Sequence, residues 1–139
     1  MKVFLDTNVI LDFLAARSPW DIDAAHLFLA AEQNHLQLTT SLLSMSNCLF
    51  ILRSRYGRMD NAEIILESLD YLEIISTSNE SFKSALLSNF ADKEDAIQFH
   101  TALSDGKINF IITRNTKGFS QSSIPVITPT QFVKKHLKK

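Results

Sequence analysis

Lys2-Val3-Phe4-Leu5-Asp6-Thr7-Asn8-Val9-Ile10 is the stretch on which the fold turns. A short apolar strand, Lys2 to Leu5, runs straight into an acid. An apolar helix containing Val9, Ile10, Phe13 and Leu14 then begins at once. Working outward, the same alternation of short apolar runs and helical stretches continues along the chain. Strands are predicted at Lys2 to Leu5, Leu36 to Thr40, Leu72 to Ile75, Phe110 to Thr113 and Pro125 to Ile127. Three helix starts carry a capping signature: Asp60-x-x-Glu63, Thr77-x-x-Glu80 and Thr128-Pro129-x-Gln131. Gly57, inside Arg55-Tyr56-Gly57-Arg58, reads as a helix cap. The last helix ends in Lys134, Lys135, Lys138 and Lys139, cations placed where a helix dipole favours them. No linker or repeat interrupts the pattern, so residues 1–139 read as one α/β domain with a mainly parallel sheet of about five strands.

Composition narrows the chemistry. The 139 residues are 45% hydrophobic and 21% charged, which excludes disordered and fibrous classes. Gly57, Gly106 and Gly118 are the only glycines, too few and too scattered for either glycine-rich phosphate loop. Cys48 stands alone, which excludes an internal disulfide and a thiolate cluster and leans toward a reducing cytoplasm. His26, His35, His100 and His136 lack ligand spacing. The amino terminus does not read as a signal peptide, and no apolar run is long enough for a membrane span. With 14 Lys+Arg against 15 Asp+Glu the net charge is −1, so any nucleic-acid contact is expected to be local rather than carried by bulk charge.

The polar residues that interrupt this pattern sit where a parallel sheet opens its crevice, at the carboxyl ends of strands. Asp6 follows the first strand and reads either as a ligand for Mg²⁺, which prefers hard oxygen donors, or as the N-cap of the next helix. Asp92-Lys93-Glu94-Asp95-Ala96 opens a later helix, with Asp92 and Asp95 on neighbouring positions of one face. There Asp92 favours capping and Asp95 favours function. Thr113-Arg114-Asn115-Thr116-Lys117-Gly118-Phe119 leaves the fourth strand at the same edge. Asn47 is an isolated polar residue ahead of the apolar run Leu49 to Leu52, a helix-start residue or a ligand.

Val3 to Asp12, Asp92 to Gln98 and Ile111 to Phe119, in this order and at these separations, resemble the PIN-domain family, the fold of VapC-type toxin ribonucleases and other metal-dependent nucleases. The resemblance covers nearly the whole chain. It implies a three-layer fold with a central parallel sheet flanked by helices, an acidic Mg²⁺ or Mn²⁺ site and hydrolysis of RNA. Often it also implies a homodimer and an antitoxin partner. Asp6 matches the first family acid and Asp95 the acid at the start of the later helix. The family's second acid falls at Asn47. Asn115 stands nearest the fourth, and Gly118 occupies the place of the acid expected before Phe119. Asp92, one turn before Asp95, is a candidate third carboxylate beside Asp6 and Asp95, with Asn47 and Asn115 as neutral ligands. Thr7, Asn8 and Thr113 are candidates to orient ligands or waters. Arg114 and Lys117, with Arg53, Arg55 and Arg58 as a rim, are the candidate phosphate contacts. The alternative within this fold is a weakened module that binds RNA or a protein without cutting, for which Asn47 and Gly118 speak. A phospho-receiver on a similar sheet would need adjacent paired acids and a strand-end lysine, which the chain lacks.

Overall fold

In the computed structural model, residues 1–56 and 61–137 are described. The chain runs β1 (Lys2–Leu5), α1 (Thr7–Leu14), α2 (Asp21–Glu32), β2 (Gln37–Ser41), α3 (Leu42–Tyr56), α4 (Asn61–Ser68), β3 (Leu72–Ile75), α5 (Asn79–Leu87), α6 (Lys93–Asp105), β4 (Phe110–Ile112), a 3₁₀ turn (Thr116–Phe119), β5 (Val126–Ile127) and α7 (Pro129–Phe132), which a π-helical turn (Val133–Leu137) extends. The five strands form one sheet in the order β3-β2-β1-β4-β5, and every pairing is parallel.

Alternation along the strands explains the layers. On β1, Val3 and Leu5 enter one core with Val9, Ile10, Leu27, Phe28, Cys48 and Phe132, on the side of α1, α2, α3 and α7. Phe4 points the other way, into a second core with Ala85, Phe90, Ala96, Phe99 and Phe119, on the side of α5 and α6. Covered on both faces, β1 reads as an unbroken apolar run, as a central parallel strand must. Val3, Phe4 and Leu5 are all fully buried, and each contributes roughly 1.5–3 kcal/mol of transfer free energy. Cys48 is also buried, and desolvation pushes its thiol up to about 12, which removes it from nucleophilic chemistry.

Two of the sequence-predicted helix starts are made as read. Asp92 caps α6 through bonds from the backbone N–H groups of Glu94 and Asp95, and Thr128 forms a reciprocal capping box with Gln131. The third moves by one residue. Ser78, not Thr77, caps α5 by accepting from the Ser81 N–H at 3.0 Å, because the Thr77 hydroxyl is engaged with Thr101 at 2.6 Å. The start signal at Asp60, the Gly57 cap, Arg58 and the terminal Lys138 and Lys139 lie outside the described residues. The sheet order sends the chain outward through β1, β2 and β3, then back across β1 to β4. That reversal opens a crevice at the carboxyl ends of β1 and β4. Among the described residues, no helix is long and apolar enough to cross a membrane.

Candidate active site

Asp6 leaves β1 and caps α1, its backbone extended at φ −72° and ψ 158°. Its carboxylate is almost wholly buried. Oδ1 accepts from the Thr7 N–H at 2.8 Å, while Oδ2 accepts from Thr113 Oγ1 at 2.8 Å and from Asn8 Nδ2 at 3.1 Å. Capping and ligand readings of this residue are therefore compatible, since the capping bond occupies one lone pair of four. Burial raises the Asp6 carboxyl above its ordinary range, these three donors pull it back, and Asp92 raises it further. Thr113 arrives from β4, whose pairing sets Leu5 against Ile112, and its own N–H is tied to Ile127 of β5.

Asp95 comes from the first turn of α6. Its carboxyl is pushed up to about 6, first by burial and then by the charges of Asp6, Asp92 and Glu94. Asp6 and Asp95 thus stand in one electrostatic field at one edge of the sheet. A chain of bonds links them: the Asn115 N–H donates to Thr113 Oγ1 at 3.0 Å, and Asn115 Nδ2 reaches Asp95 Oδ2 at 3.4 Å. Asn115 also caps the 3₁₀ turn, accepting from the Gly118 N–H at 3.3 Å. Gly118 closes against this group, since a Cβ there would lie 2.5 Å from Asp95 Oδ2 and as close to the Asn115 amide. Glycine at 118 thus lets these two side chains close over the turn, and a Cβ would make their ends shift. An acid at this position would displace both neighbours.

Asn8 braces the cluster, bonding Thr113 at 3.3 Å as well as Asp6, and accepting from the Arg114 N–H at 3.2 Å. Thr7 Oγ1 donates to Ser44 at 2.9 Å, and the buried Gln98 amide also donates to Ser44, at 2.6 Å, while accepting from Ser41. This buried network fastens α1, the β2–α3 junction and α6 together, and so ties the elements that carry Asp6 and Asp95 to each other.

Several expected roles change. Asn47 is turned toward an acid of α6, donating from Nδ2 to Glu94 Oε1 at 2.8 Å. Asp92 Oδ1 is engaged in capping, at 2.8 and 3.1 Å from two backbone nitrogens. Among the described residues, no three Asp, Glu, His or Cys side chains close into a metal-ligating group. The expected triple-carboxylate arrangement of Asp6, Asp92 and Asp95 is therefore not assembled. Capping turns Asp92 to its own helix, and it acts on the other two acids through its charge. Arg114 is not a free cation. Its Nε and Nη2 lie 2.7 and 3.1 Å from the two oxygens of the fully buried Asp12, which Arg17 also holds at 2.9 Å. Lys117 is exposed on the 3₁₀ turn, and Arg53 and Arg55 are exposed in the last turn of α3.

Reading the sequence alone missed Glu94 and Asp12. Glu94 stood inside the quoted acidic motif, and its pairing with Asn47, forty-seven residues away, has no local signal. Asp12 did carry one, because an acid on the apolar face of a helix demands a buried counter-ion.

The donor set fits a hard divalent ion. Two carboxylates whose pKa values are raised by burial and by neighbouring acids, Asp92 beside Asp6 and Asp6, Asp92 and Glu94 beside Asp95, are relieved by a cation, and Mg²⁺ is commonly held by one or two carboxylates together with retained waters.

A PIN domain family model matches residues 2–117 of the chain. Among solved structures, the chain is similar to VapBC2 from Rickettsia felis bound to a DNA fragment from its promoter, with a TM-score of 0.66 at 14% identity over 92% of this chain and 98% of that one. It is similar to a toxin–antitoxin complex from Klebsiella pneumoniae, with a TM-score of 0.63 at 26% identity over 91% and 97% of the two chains. A protein from Pyrobaculum aerophilum gives a TM-score of 0.63 at 15% identity over 97% of each chain. Comparison with curated proteins gives no match. With the family model spanning four of the five strands, from β1 into the 3₁₀ turn, and with the same fold found in toxin–antitoxin assemblies, the chain belongs to the PIN-domain family.

Proposed function

We propose that this protein is a metal-dependent endoribonuclease, the toxin of a toxin–antitoxin pair, formed by residues 1–139 as one PIN-like domain and acting in the cytoplasm. One observation carries the reading. Asp6 and Asp95, from different elements, both have raised carboxyls, and the charge of Asp6 is among the causes at Asp95. Carboxylates set against each other in this way cost free energy unless a cation offsets them. In this reading Asp6 and Asp95 hold Mg²⁺ or Mn²⁺, and Asp92 and Glu94 add negative charge around them. When bound, such an ion neutralises charge developing on the phosphate and activates water for phosphodiester hydrolysis. Asn115 Nδ2 restrains Asp95, while Thr7, Asn8 and Thr113 fix the Asp6 carboxylate. Among the described residues, Lys117, Arg53 and Arg55 are exposed cations that would attract RNA phosphates, since Arg114 directs two donors to Asp12.

Homodimer and antitoxin contacts belong to the same proposal. Leu42 (55%), Phe50 (70%), Leu49 (43%) of α3 and Phe82 (46%), Leu87 (86%) of α5 are left substantially exposed, an apolar surface of the kind that partners cover.

A second reading is a weakened module that binds RNA or protein without cutting. It is favoured by Asn47, whose amide binds Glu94 where the family carries an acid. Incubation of the purified chain with structured RNA in Mg²⁺, Mn²⁺ or EDTA decides between them. The nuclease reading requires cleavage in either metal, none in EDTA, and a loss of about a hundredfold or more in Asp6→Asn, the scale of removing charge stabilisation at a reacting phosphate. Binding without cleavage in every condition establishes the second reading.

A further inference from the structure

A cavity of about 330 Å³ lies beside the acid cluster, lined by Trp20, Asp23, Arg114, Thr128, Pro129 and Thr130. Its size is that of a small-ligand site, for which roughly 300–1,000 Å³ is usual. It adjoins the candidate active site through a three-residue stretch: Thr113 donates to Asp6, Asn115 donates to Asp95, and Arg114 between them walls the cavity. The Trp20 indole is 44% exposed, with the Arg114 guanidinium 3.9 Å from its ring centre on one face. Arg114 directs Nε and Nη2 to Asp12, a single carboxylate that it shares with Arg17, so two of its donors are turned away from the cavity. Asp23 adds a carboxylate that Thr130 Oγ1 steadies by donating to Oδ2 at 2.7 Å.

These features select the ligand. A phosphate is repelled by Asp23, and the Nε and Nη2 donors of Arg114 that would hold it are already given to Asp12. A flat, uncharged base gains stacking on the indole, an interaction that single-stranded RNA recognition uses commonly. Asp23 then discriminates among bases, because a carboxylate only accepts. Guanine alone presents two adjacent N–H donors, N1–H and the 2-amino group, on one edge. Adenine and cytosine set an acceptor nitrogen beside their amino groups, and uracil sets its single N–H between two carbonyls.

We propose that this cavity is a subsite for a guanine base of the RNA, with Trp20 as its stacking platform and Asp23 as the group that reads it. The proposal extends the ribonuclease reading of the acid site and rests on RNA being the substrate. Trp20 is the only tryptophan of the chain, so intrinsic fluorescence reports on it without interference. The metal-free chain is titrated with GMP, AMP, CMP, UMP and ribose 5-phosphate, with absorption corrected against a free tryptophan derivative. GMP is expected to quench saturably and to bind roughly tenfold more tightly than the other nucleotides, the effect of one charge-assisted hydrogen-bonded pair. Ribose 5-phosphate is expected to leave the signal unchanged. Asp23→Ala is expected to bring GMP down to the level of AMP. No saturable quenching, equal quenching by all four nucleotides, or an undiminished GMP preference in Asp23→Ala overturns the proposal. Because the titration needs neither metal nor cleavage, a GMP preference in a chain that cuts no RNA keeps the subsite and removes the nuclease reading. Cleavage without a GMP preference does the reverse.

Discussion

At the scale of single residues, Asp95 is the most informative group. Its carboxyl rises from an ordinary 3.8 to about 6, through burial first and then through Asp6, Asp92 and Glu94. The folded chain therefore holds a proton that the unfolded chain has released between about pH 4 and pH 6. Stability from this group is full below about pH 4 and is lost as the pH rises to about 6. Asp95→Asn removes the titration. In urea unfolding with EDTA present, the variant should be more stable than the parent at about pH 7.5 and equal to it near pH 4. After allowance for the partial exposure of Asp95, the gain is on the order of 1 kcal/mol. A variant less stable at about pH 7.5 would show that the acids do not oppose each other. The places of Asp6 and Asp95 in the fold were legible in the sequence, because a strand end and a helix start mark them, while their joint role in holding an ion is a proposal. The meaning of Gly118 was not. Read along the chain it is a missing acid, and in space it is the residue whose lack of a Cβ lets the 3₁₀ turn close on Asp95 and Asn115.

At the scale of elements, α1 and the exit of β4 are joined by charge. Asp12 is fully buried and held by Arg17 and Arg114, and Arg17 Nη2 also donates to the Asn8 carbonyl at 3.0 Å. Since Asn8 bonds both Asp6 and Thr113, this cluster sets the angle at which the strand-end acid is presented. Removing one member of a buried charge cluster leaves the others uncompensated, at about 3 kcal/mol or more. Asp12→Asn should therefore lower the urea midpoint by a corresponding amount without changing its slope. A loss below about 0.5 kcal/mol, the usual range for surface substitutions, would contradict the bracing role. An acid on the apolar face of α1 was a legible sign of a buried counter-ion, but the counter-ions themselves were not legible, because they lie five and 102 residues away. The caps at Asp92 and Thr128 were legible, because capping is decided within four residues. The cap at Ser78 escaped by one position, because a tertiary partner, Thr101, claims the Thr77 hydroxyl.

At the scale of the whole molecule, the parallel sheet was legible in the apolar runs of β1 to β5, and all five strands formed at or within a residue or two of their expected ends. Their spatial order was not, since β1 pairs with β4 across more than one hundred residues. That pairing is what brings Asp6 to Thr113. The chain carries a net charge of −1, so on the ribonuclease proposal RNA affinity would rest on a few local cations. Lys117→Ala should weaken binding of single-stranded RNA at every sequence alike and reduce the salt slope by about 0.7. An unchanged slope would move the phosphate contact to Arg53 and the end of α3. The central claim is that Asp6 and Asp95 together hold a divalent cation, and calorimetric titration with Mn²⁺ tests it most directly. One ion is expected to bind per chain in the parent, and binding is expected to be lost in Asp6→Asn and in Asp95→Asn while both variants remain folded. Either variant binding Mn²⁺ as the parent does would contradict it.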